Sequence, residues 1–396
     1  MKRWPVKELG ELCDVEGGNA APQGDEHFKG GTIPFVRMKD LGRYHFTNNL
    51  CSTDGKLTKD SIVENRMKVF EPGCILFPRS GSVALNHRAI LGVRACIVSH
   101  IGVLQAFKPE ITPGYLYLYL RTFDMTALSK KTTGVDSIAF SDVKRIPVPV
   151  PPLAEQERLV KLLDEADELL KLRAQADRRT AALVPALFHE MFGDPRCNTK
   201  KWHVEALGET LKVLHRYPTF YGTSYVEDGV PVARIGNILP SNMLDTDLSS
   251  YVRVPRDFSA KFPKTVLESG DLVMAVRGDT TGKIAFVPSN LEGANISPNL
   301  IRINPDTCKV TCEYLLWLLL LVPTLVTSKV TDTAKKSITA ENIGAIKIPV
   351  PSLQLQKEFA IRVSEICGLE AEQATSRSLM NALFQSLLYQ AFQGDL

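Results

Sequence analysis

Residues 146–156 read IPVPVPPLAEQ and residues 346–356 read IKIPVPSLQLQ, with six of the eleven positions identical. A proline-punctuated run followed by a long helix pattern, twice, makes the chain a tandem repeat before it is anything else. The same offset of 200 carries Ser137-Ile138 onto Ser337-Ile338 and Phe192 onto Phe392. Nearer the start the offset shrinks a little. WPVKELGEL at 4–12 matches WHVEALGET at 202–210, IPFVRMKDL at 33–41 matches VPVARIGNI at 230–238, and EPGCILFPRSG at 71–81 resembles ESGDLVMAVRGD at 268–279. Tyr115-Leu116 pairs with Tyr314-Leu315. Matches in this order, with drift confined to the loops between them, set the domain plan: residues 1–150, 151–193, 194–350 and 351–396.

Each repeat has two parts. The first mixes short β-rich runs (Ile33–Met38, Cys74–Phe77, Val230–Ile235 and Asp271–Val276) with Gly, Pro and Asn turns, plus one apolar segment, 114–121 or 313–322, read as a helix. The second part is a single long helix. Pro147, Pro149, Pro151 and Pro152 cannot donate to a ladder, so they end the first part in extended, edge-like chain. Glu155 then favours the positive end of the helix dipole. In the first copy Leu159, Leu162, Ala166, Leu169, Arg173, Ala176, Thr180, Leu183 and Leu187 step by three and four, a coiled-coil seam with a polar middle. In the second copy Phe359, Val363, Ile366, Glu370, Gln373, Arg377, Met380, Phe384, Leu387 and Ala391 do the same. Pro185 is expected to kink or interrupt the first helix, whereas the second has Gln385 there. Each pattern lasts about 40 residues, or about 60 Å. A narrow apolar stripe on so long a helix needs a partner, and two such helices most simply cover each other. The expected fold is α+β: two similar mixed α/β domains joined by two long antiparallel helices forming a coiled coil, with pseudo-twofold symmetry and a domain at each end. The alternative is that each helix docks on its own domain.

Composition limits the function classes. With 44% apolar and 23% charged residues the chain reads as soluble and globular. The start lacks the charged, apolar and small succession of a secretory leader, and the run Tyr314 to Val326 is too short to span a bilayer, so no membrane role and a cytoplasmic location are expected. Eight cysteines without a CxxC pair read as reduced thiols, and Cys308 with Cys312 as ordinary packing rather than a metal site. The net charge of +3 divides unevenly: +5 over 1–150, −2 over 151–193, +3 over 195–350 and −2 over 351–396, with Asp194 the remainder. Two basic blocks alternating with two acidic ones suit a polyanion partner. Catalytic motifs fail one by one. DEAD at Asp164–Asp167 sits inside a heptad pattern and is expected on a solvated helix face. GDTTGKI at 278–284 is a residue short of a phosphate loop and lacks Ser or Thr after Lys283. SPN at 297–299 lacks the second proline and the aromatic of an adenine methyltransferase motif. No GxGxxG opens a βα unit, and the seven histidines form neither HExxH nor a triad. No catalytic residue, metal or cofactor is expected; a duplicated chain of this kind is a positioning device.

IPVPVPPLAEQERL and IKIPVPSLQLQKEF, each after a variable domain and before a long helix, resemble the specificity subunit of type I restriction–modification systems. FHEMFGD at 188–194, YQAFQGD at 389–395, PGCILFPRSG and SGDLVMAVRGD add to the likeness, which covers essentially the whole chain. There are two departures: the second copy has Pro351-Ser352-Leu353-Gln354-Leu355-Gln356 in place of Pro-Pro-Leu-x-Glu-Gln, and Pro185 breaks the first helix. The resemblance implies a non-catalytic subunit with two target-recognition domains, each reading one half of an asymmetric bipartite site in double-stranded DNA. It implies helices that set the spacing and dock two methyltransferase subunits, with restriction/translocase subunits joining them. On that footing base readers are polar loop residues, with Lys, Arg and backbone amides on phosphates. The candidates are Arg37 and Lys39 with Arg234 and Asn237 as counterparts, Arg79 and Ser80 with Arg277, Asp279 and Thr280, and the KKTTGVDS and TAKKS loops. Lys130, Lys131, Lys335 and Lys336 in those loops are expected as phosphate clamps. The competing readings are a protein–protein adaptor and an RNA-binding scaffold; the latter needs exposed aromatics on a sheet, and the only tyrosine cluster, YLYLYL, reads as core.

Overall fold

The computed structural model describes residues 4–45, 49–132, 135–217, 224–328 and 337–393. Contacts divide the chain into two compact units, Met1–Arg173 with Ser376–Leu396, and Ala174–Thr375. Each unit therefore holds one globular domain together with a part of each long helix.

In the first unit the start and end of the globular domain zip together. Val6–Glu8 pairs antiparallel with Pro147–Pro149, and the Val150 N–H donates to the Pro5 carbonyl at 2.8 Å. In the second unit His203–Ala206 pairs with Lys347–Val350 in the same way. The repeated WPVKELGEL and IPVPV strings are thus the two sides of one seam. Behind it lies a five-stranded sheet in the first unit, in the order Asp14–Gly17, Ile101–Gln105, Ile75–Pro78, Ala89–Leu91, Asn49–Leu50. A second sheet follows the order Gly55–Leu57, Ile33–Val36, Ala95–Ile97, Val69–Phe70. The second unit repeats the plan with Leu211–Arg216, Leu300–Pro305, Leu272–Ala275, Ile284–Phe286, and with Val252–Val254, Val230–Ala233, Asn295–Ile296. The apolar segments are helices, Pro113–Thr122 and Cys312–Leu321, each capped by a threonine that accepts from a tyrosine N–H three residues on.

The repeated glutamine explains what joins domain to helix. Gln156 and Gln356 are wholly buried. The Gln156 Oε1 accepts the backbone N–H of Thr112 at 2.9 Å, and its Nε2 donates to the carbonyls of Glu110 at 2.8 Å and Pro151 at 2.9 Å. Gln356 makes the same three bonds, to Thr311 N–H at 2.9 Å, Lys309 carbonyl at 3.1 Å and Pro351 carbonyl at 2.9 Å. Beside each clasp a buried tyrosine hydroxyl donates to a proline carbonyl, Tyr115 to Pro149 at 2.8 Å and Tyr314 to Pro349 at 2.6 Å. A proline run leaves carbonyls that no helix or ladder uses, and these side chains take them.

The first helix pattern divides into Leu153–Ala181 and Leu183–Phe192, broken at Ala182. Pro185 lacks the N–H that would bond to the Ala181 carbonyl, and its ring crowds that oxygen, so the break falls one turn before it. Leu353–Gln393 runs unbroken for 41 residues. In the first unit Leu159 and Leu163 share a core with Tyr115, Phe384, Leu388 and Phe392. In the second, Phe188 and Phe192 meet Phe359 at 5.5 and 5.1 Å between ring centroids, and Gln373 donates to Thr180 at 3.0 Å. Numbers that fall on one helix as they rise on the other make this pairing antiparallel. The seam on the last helix is the expected one at its apolar ends, where Phe359, Val363, Phe384 and Ala391 are buried, but Leu388 is buried beside a half-buried Leu387, and Glu370 and Arg377 in the middle are exposed. The seam on the first is displaced: Leu163, not Leu162, is buried, and Leu169 is 56% exposed. Asp167 is only 8% exposed, pulled inward beside Arg121 (3.7 Å) and Lys171 (3.1 Å), so the DEAD string is not a solvated face throughout. Among the described residues no helix is long and apolar enough to cross a membrane, all eight cysteines are free thiols, and no group of three metal-ligating side chains gathers.

Gln156→Ala leaves one buried N–H and two carbonyls without partners, and is expected to lower the stability of the first unit by about 2–4 kcal/mol in urea unfolding. A loss below about 0.5 kcal/mol, the range of an unconstrained surface site, would mean that the clasp carries no structural weight.

Candidate nucleic-acid interface

In the first unit Asp14–Gly17 and Ile75–Pro78 flank Ile101–Gln105 and run antiparallel to it. Their carboxyl ends therefore reach the edge where Ile101–Gln105 begins, and the turn at 98–100 feeds that edge. Val98 N–H donates to the Val36 carbonyl at 3.0 Å, Arg79 N–H to the His100 carbonyl at 2.8 Å, and Ser99 N–H to the Asn19 carbonyl at 2.8 Å. Three stretches distant in sequence thus converge on one turn, around an open cleft lined by Gln23, Arg37, Ser99 and His100 among others. The second unit repeats the construction: Ser297 N–H donates to the Ala233 carbonyl at 2.9 Å and Val276 N–H to the Asn299 carbonyl at 2.9 Å.

Arg37 is exposed at the edge of this cleft. Asp40 accepts its backbone N–H at 2.9 Å, and its guanidinium lies over Phe28 and Phe35, 4.9 and 5.5 Å from the ring centroids. Lys39 is exposed and pairs with Asp54 at 3.2 Å, beside Arg43 at 2.6 Å. Hydrogen bonds from Arg43, then from Lys39, hold the Asp54 carboxyl below its ordinary range. Ser80 Oγ lies 2.8 Å from His100 Nδ1, and Arg79 is half-buried with its guanidinium 4.5 Å from the centre of the Phe140 ring. The hairpin of Lys130–Thr132 and Val135–Ser137 abuts the same turn, since Ser80 bridges to Ser137 and Gly81 N–H donates to the Asp136 carbonyl at 3.0 Å. Lys130 reaches Asp142 at 2.9 Å; the Lys131 side chain lies outside what is described.

In the second unit Arg234 occupies the place of Arg37, exposed, with its backbone N–H donating to Asn237 at 3.0 Å. Asn237 is the counterpart of Asp40; the residue matching Lys39 is Gly236. Asn237 is 5% exposed, and its Nδ2 donates to Ser250 Oγ at 3.3 Å. Its amide is consumed in shaping the Arg234 turn, which counts against the expected base-reading role of Asn237. Arg277 is exposed and bridges to Ser337, as Ser80 does to Ser137. Its counterpart is therefore Ser80, and the place of Arg79 is taken by the buried Val276. Thr280 is exposed on the same turn and donates to the Arg277 carbonyl at 3.4 Å; Asp279 is exposed between them. Lys335 and Lys336 lie outside the described residues. Sequence reading missed His100 and Asn299 on the central turns, and Arg216, whose Nε donates to the Pro298 carbonyl at 3.3 Å. Burial and then the neighbouring Arg277 lower the pKa of the Arg216 guanidinium. SPN at 297–299 was the one visible signal, and it marks the central turn of the second unit.

This fold, with its duplicated loop cluster on a helix-linked repeat, defines a DNA specificity module. The chain belongs to the type I restriction modification DNA specificity domain family, which matches residues 1–178 and 199–375. It is 24% identical over 396 residues to the type I restriction enzyme MjaVIII specificity subunit of Methanocaldococcus jannaschii, covering 92% of this chain and 86% of that one. It is 23% identical to the EcoBI specificity subunit of Escherichia coli over 80% of this chain and 71% of that one. In fold it is similar to the type I restriction–modification S subunit of M. genitalium, with a TM-score of 0.55 at 18% identity, covering 98% and 96% of the two chains. It is also similar to a chain from a structure of the complex assembly and conformational transition of a type I R-M system, with a TM-score of 0.64 at 20% identity, covering 100% and 99%.

In the first unit the His45 and His87 rings lie tilted to each other, 4.7 Å between centroids. Burial lowers the pKa of both below the ordinary 6.5, and each has a cationic or imidazole neighbour, His87 for His45 and Arg88 for His87. A lowered histidine pKa means that the folded state disfavours the charged form, so this part of the stability is present above pH 6.5 and is lost as the pH falls through it. The first unit is expected to lose stability as the pH falls below 6.5, with a shallower slope in His87→Gln. Parallel slopes in urea unfolding of the two proteins would contradict this.

Proposed function

We propose that the chain is the DNA-reading, non-catalytic subunit of a type I restriction–modification complex, in which each globular domain reads one half of an asymmetric bipartite site in double-stranded DNA. The observation that carries this reading is the loop cluster built twice on the same backbone plan but tipped with different side chains. Arg37 and Arg234 stand at matching places, while Lys39 is replaced by Gly236, Ser80 by Arg277 and His100 by Asn299. A shared scaffold delivers the loops to DNA, and unlike tips make the two halves of the site unlike. In this reading the long helices set the separation of the halves, for which one turn of DNA is about 34 Å. They also dock two methyltransferase subunits, with restriction/translocase subunits joining for cleavage, and methyl transfer and cleavage belong to those partners. The place of action is the cytoplasm, with the DNA. The domain plan is a recognition domain over 1–150, a helix over 151–193, a second recognition domain over 194–350 and a helix over 351–396. The candidate readers are Arg37, Arg79, Ser80, Arg234, Arg277 and Thr280; Lys39, Lys130, Lys131, Lys335 and Lys336 supply charge to phosphates.

A gel shift with mixed genomic duplexes, with and without the methyltransferase subunits, tests the reading. Retardation of duplexes that is lost when either half of the selected site is scrambled is expected. Equal binding to RNA, or no binding to duplex in the full complex, would refute it. Lys335→Ala with Lys336→Ala is expected to weaken binding to all sequences alike and to reduce the slope of log affinity against log salt by about 2. An unchanged slope would remove these lysines from the phosphate contacts.

A further inference from the structure

The second unit carries two arginines at the corner where its strands end, and the first unit has neither at those places. Leu211–Arg216 and Leu272–Ala275 lie on either side of Leu300–Pro305, each antiparallel to it, so they run the same way. Arg216 and Met274 both pair with Ile301. They stand in one row about 10 Å apart, two strand spacings. Three residues past Met274 the chain reaches Arg277, just before Gly278, whose φ of 75° turns it away. The Pro298–Asn299 turn lies between the two: Arg216 Nε holds the Pro298 carbonyl at 3.3 Å, and the residue before Arg277 holds the Asn299 carbonyl at 2.9 Å.

The corresponding corner of the first unit shows how the space is made. Its register places Gly17 at the position of Arg216, and a Cβ on Gly17 would meet the Phe140 ring at 3.1 Å. The Phe140 position is Ala340 in the second unit. Glycine makes room for phenylalanine in one copy, whereas the other has arginine and alanine at the matching positions. The first unit keeps a single guanidinium here, Arg79, laid on Phe140.

Arg216 is half-buried and its Nε is fixed to backbone, which orients the fork formed by the two terminal nitrogens. Neither those nitrogens nor the Arg277 guanidinium has a hydrogen-bond or carboxylate partner among the described residues. Two adjacent cations with no partner among the described residues suit acceptors from outside the chain. A pre-oriented planar fork matches the O6 and N7 acceptors on the major-groove edge of guanine, whereas a phosphate is served as well by a flexible lysine. Resting on the reading that each unit reads one half of a DNA site, we propose that Arg216 and Arg277 are specificity-determining residues that read guanine in the half-site of the second unit.

The test is selection from a random-sequence duplex pool by the full-length chain with its methyltransferase subunits, for the wild type, Arg216→Lys and Arg277→Lys. A wild-type motif of two unlike halves is expected, one of them containing guanine. Each variant should accept other bases at a guanine position in that half alone, with the preference reduced about 5- to 150-fold. Replacing that guanine by 7-deazaguanine should weaken the wild type, not the variant that has lost the contact. The lysine variants keep the charge, and unaltered selection of the other half shows that the chain is folded. A bipartite motif with no guanine in the affected half, or variants that weaken all sequences equally, would overturn the guanine assignment and leave the half-site reading standing. A wild type that selects no motif would overturn both.

Discussion

One buried amide, used twice, underlies the architecture. Gln156 and Gln356 each satisfy a helix N-terminal N–H and two carbonyls, drawn from the loop before the apolar helix and from the proline run before the long one. Desolvating those groups without partners would cost more than a single surface contact returns, so the geometry of domain on helix is tied to a hydrogen-bond network with one good solution. Proline punctuation has a positive role here: it ends the strand and leaves carbonyls free for the glutamine and for Tyr115 or Tyr314. A recognition loop is useful only if it stands at a fixed angle to the element that sets spacing, and the clasp lies at that joint.

Around this shared joint the copies have diverged in ways that keep the backbone and change the chemistry. The core pair Cys74 and Val103 in the first unit corresponds to Asp271 and Arg302 in the second, almost wholly buried and 2.6 Å apart. Burial raises the pKa of the Asp271 carboxyl against the opposing pull of its hydrogen bonds. Both pairs fill the same place between the same strands. The loop ends obey the same rule, with Phe140 exchanged for Ala340 and Gly17 for Arg216. A duplicated scaffold with unlike tips suits an asymmetric target.

Much of this was legible in the sequence. The repeat, the strand runs, the two apolar helices, the apolar ends of the last helix's seam and the break near Pro185 follow from spacing and from the stereochemistry of proline. The first seam was misplaced because its pattern counts leucines, whereas Asp167 is drawn into the core by Arg121, a charge from another part of the chain. Arg79 and Arg277 look equivalent as letters, yet the strand register sets them one residue apart, so one lies on a ring and the other faces solvent. Asn237 is a candidate as the counterpart of Lys39, yet it takes the place of Asp40, and its burial against Ser250 is a tertiary fact. Arg216 gave no signal, since a lone charge at the end of a strand is ordinary until the neighbouring strands show what surrounds it.

The most direct test of the joint is amide hydrogen exchange at Thr112 and Thr311 in the intact chain. If the glutamine clasps hold domain to helix, both amides exchange only with the unfolding of their units, as slowly as the core strands Ile101–Gln105 and Leu300–Pro305. Exchange at the rate of exposed loop amides would show that the joints open freely and that the helices cannot fix the heads.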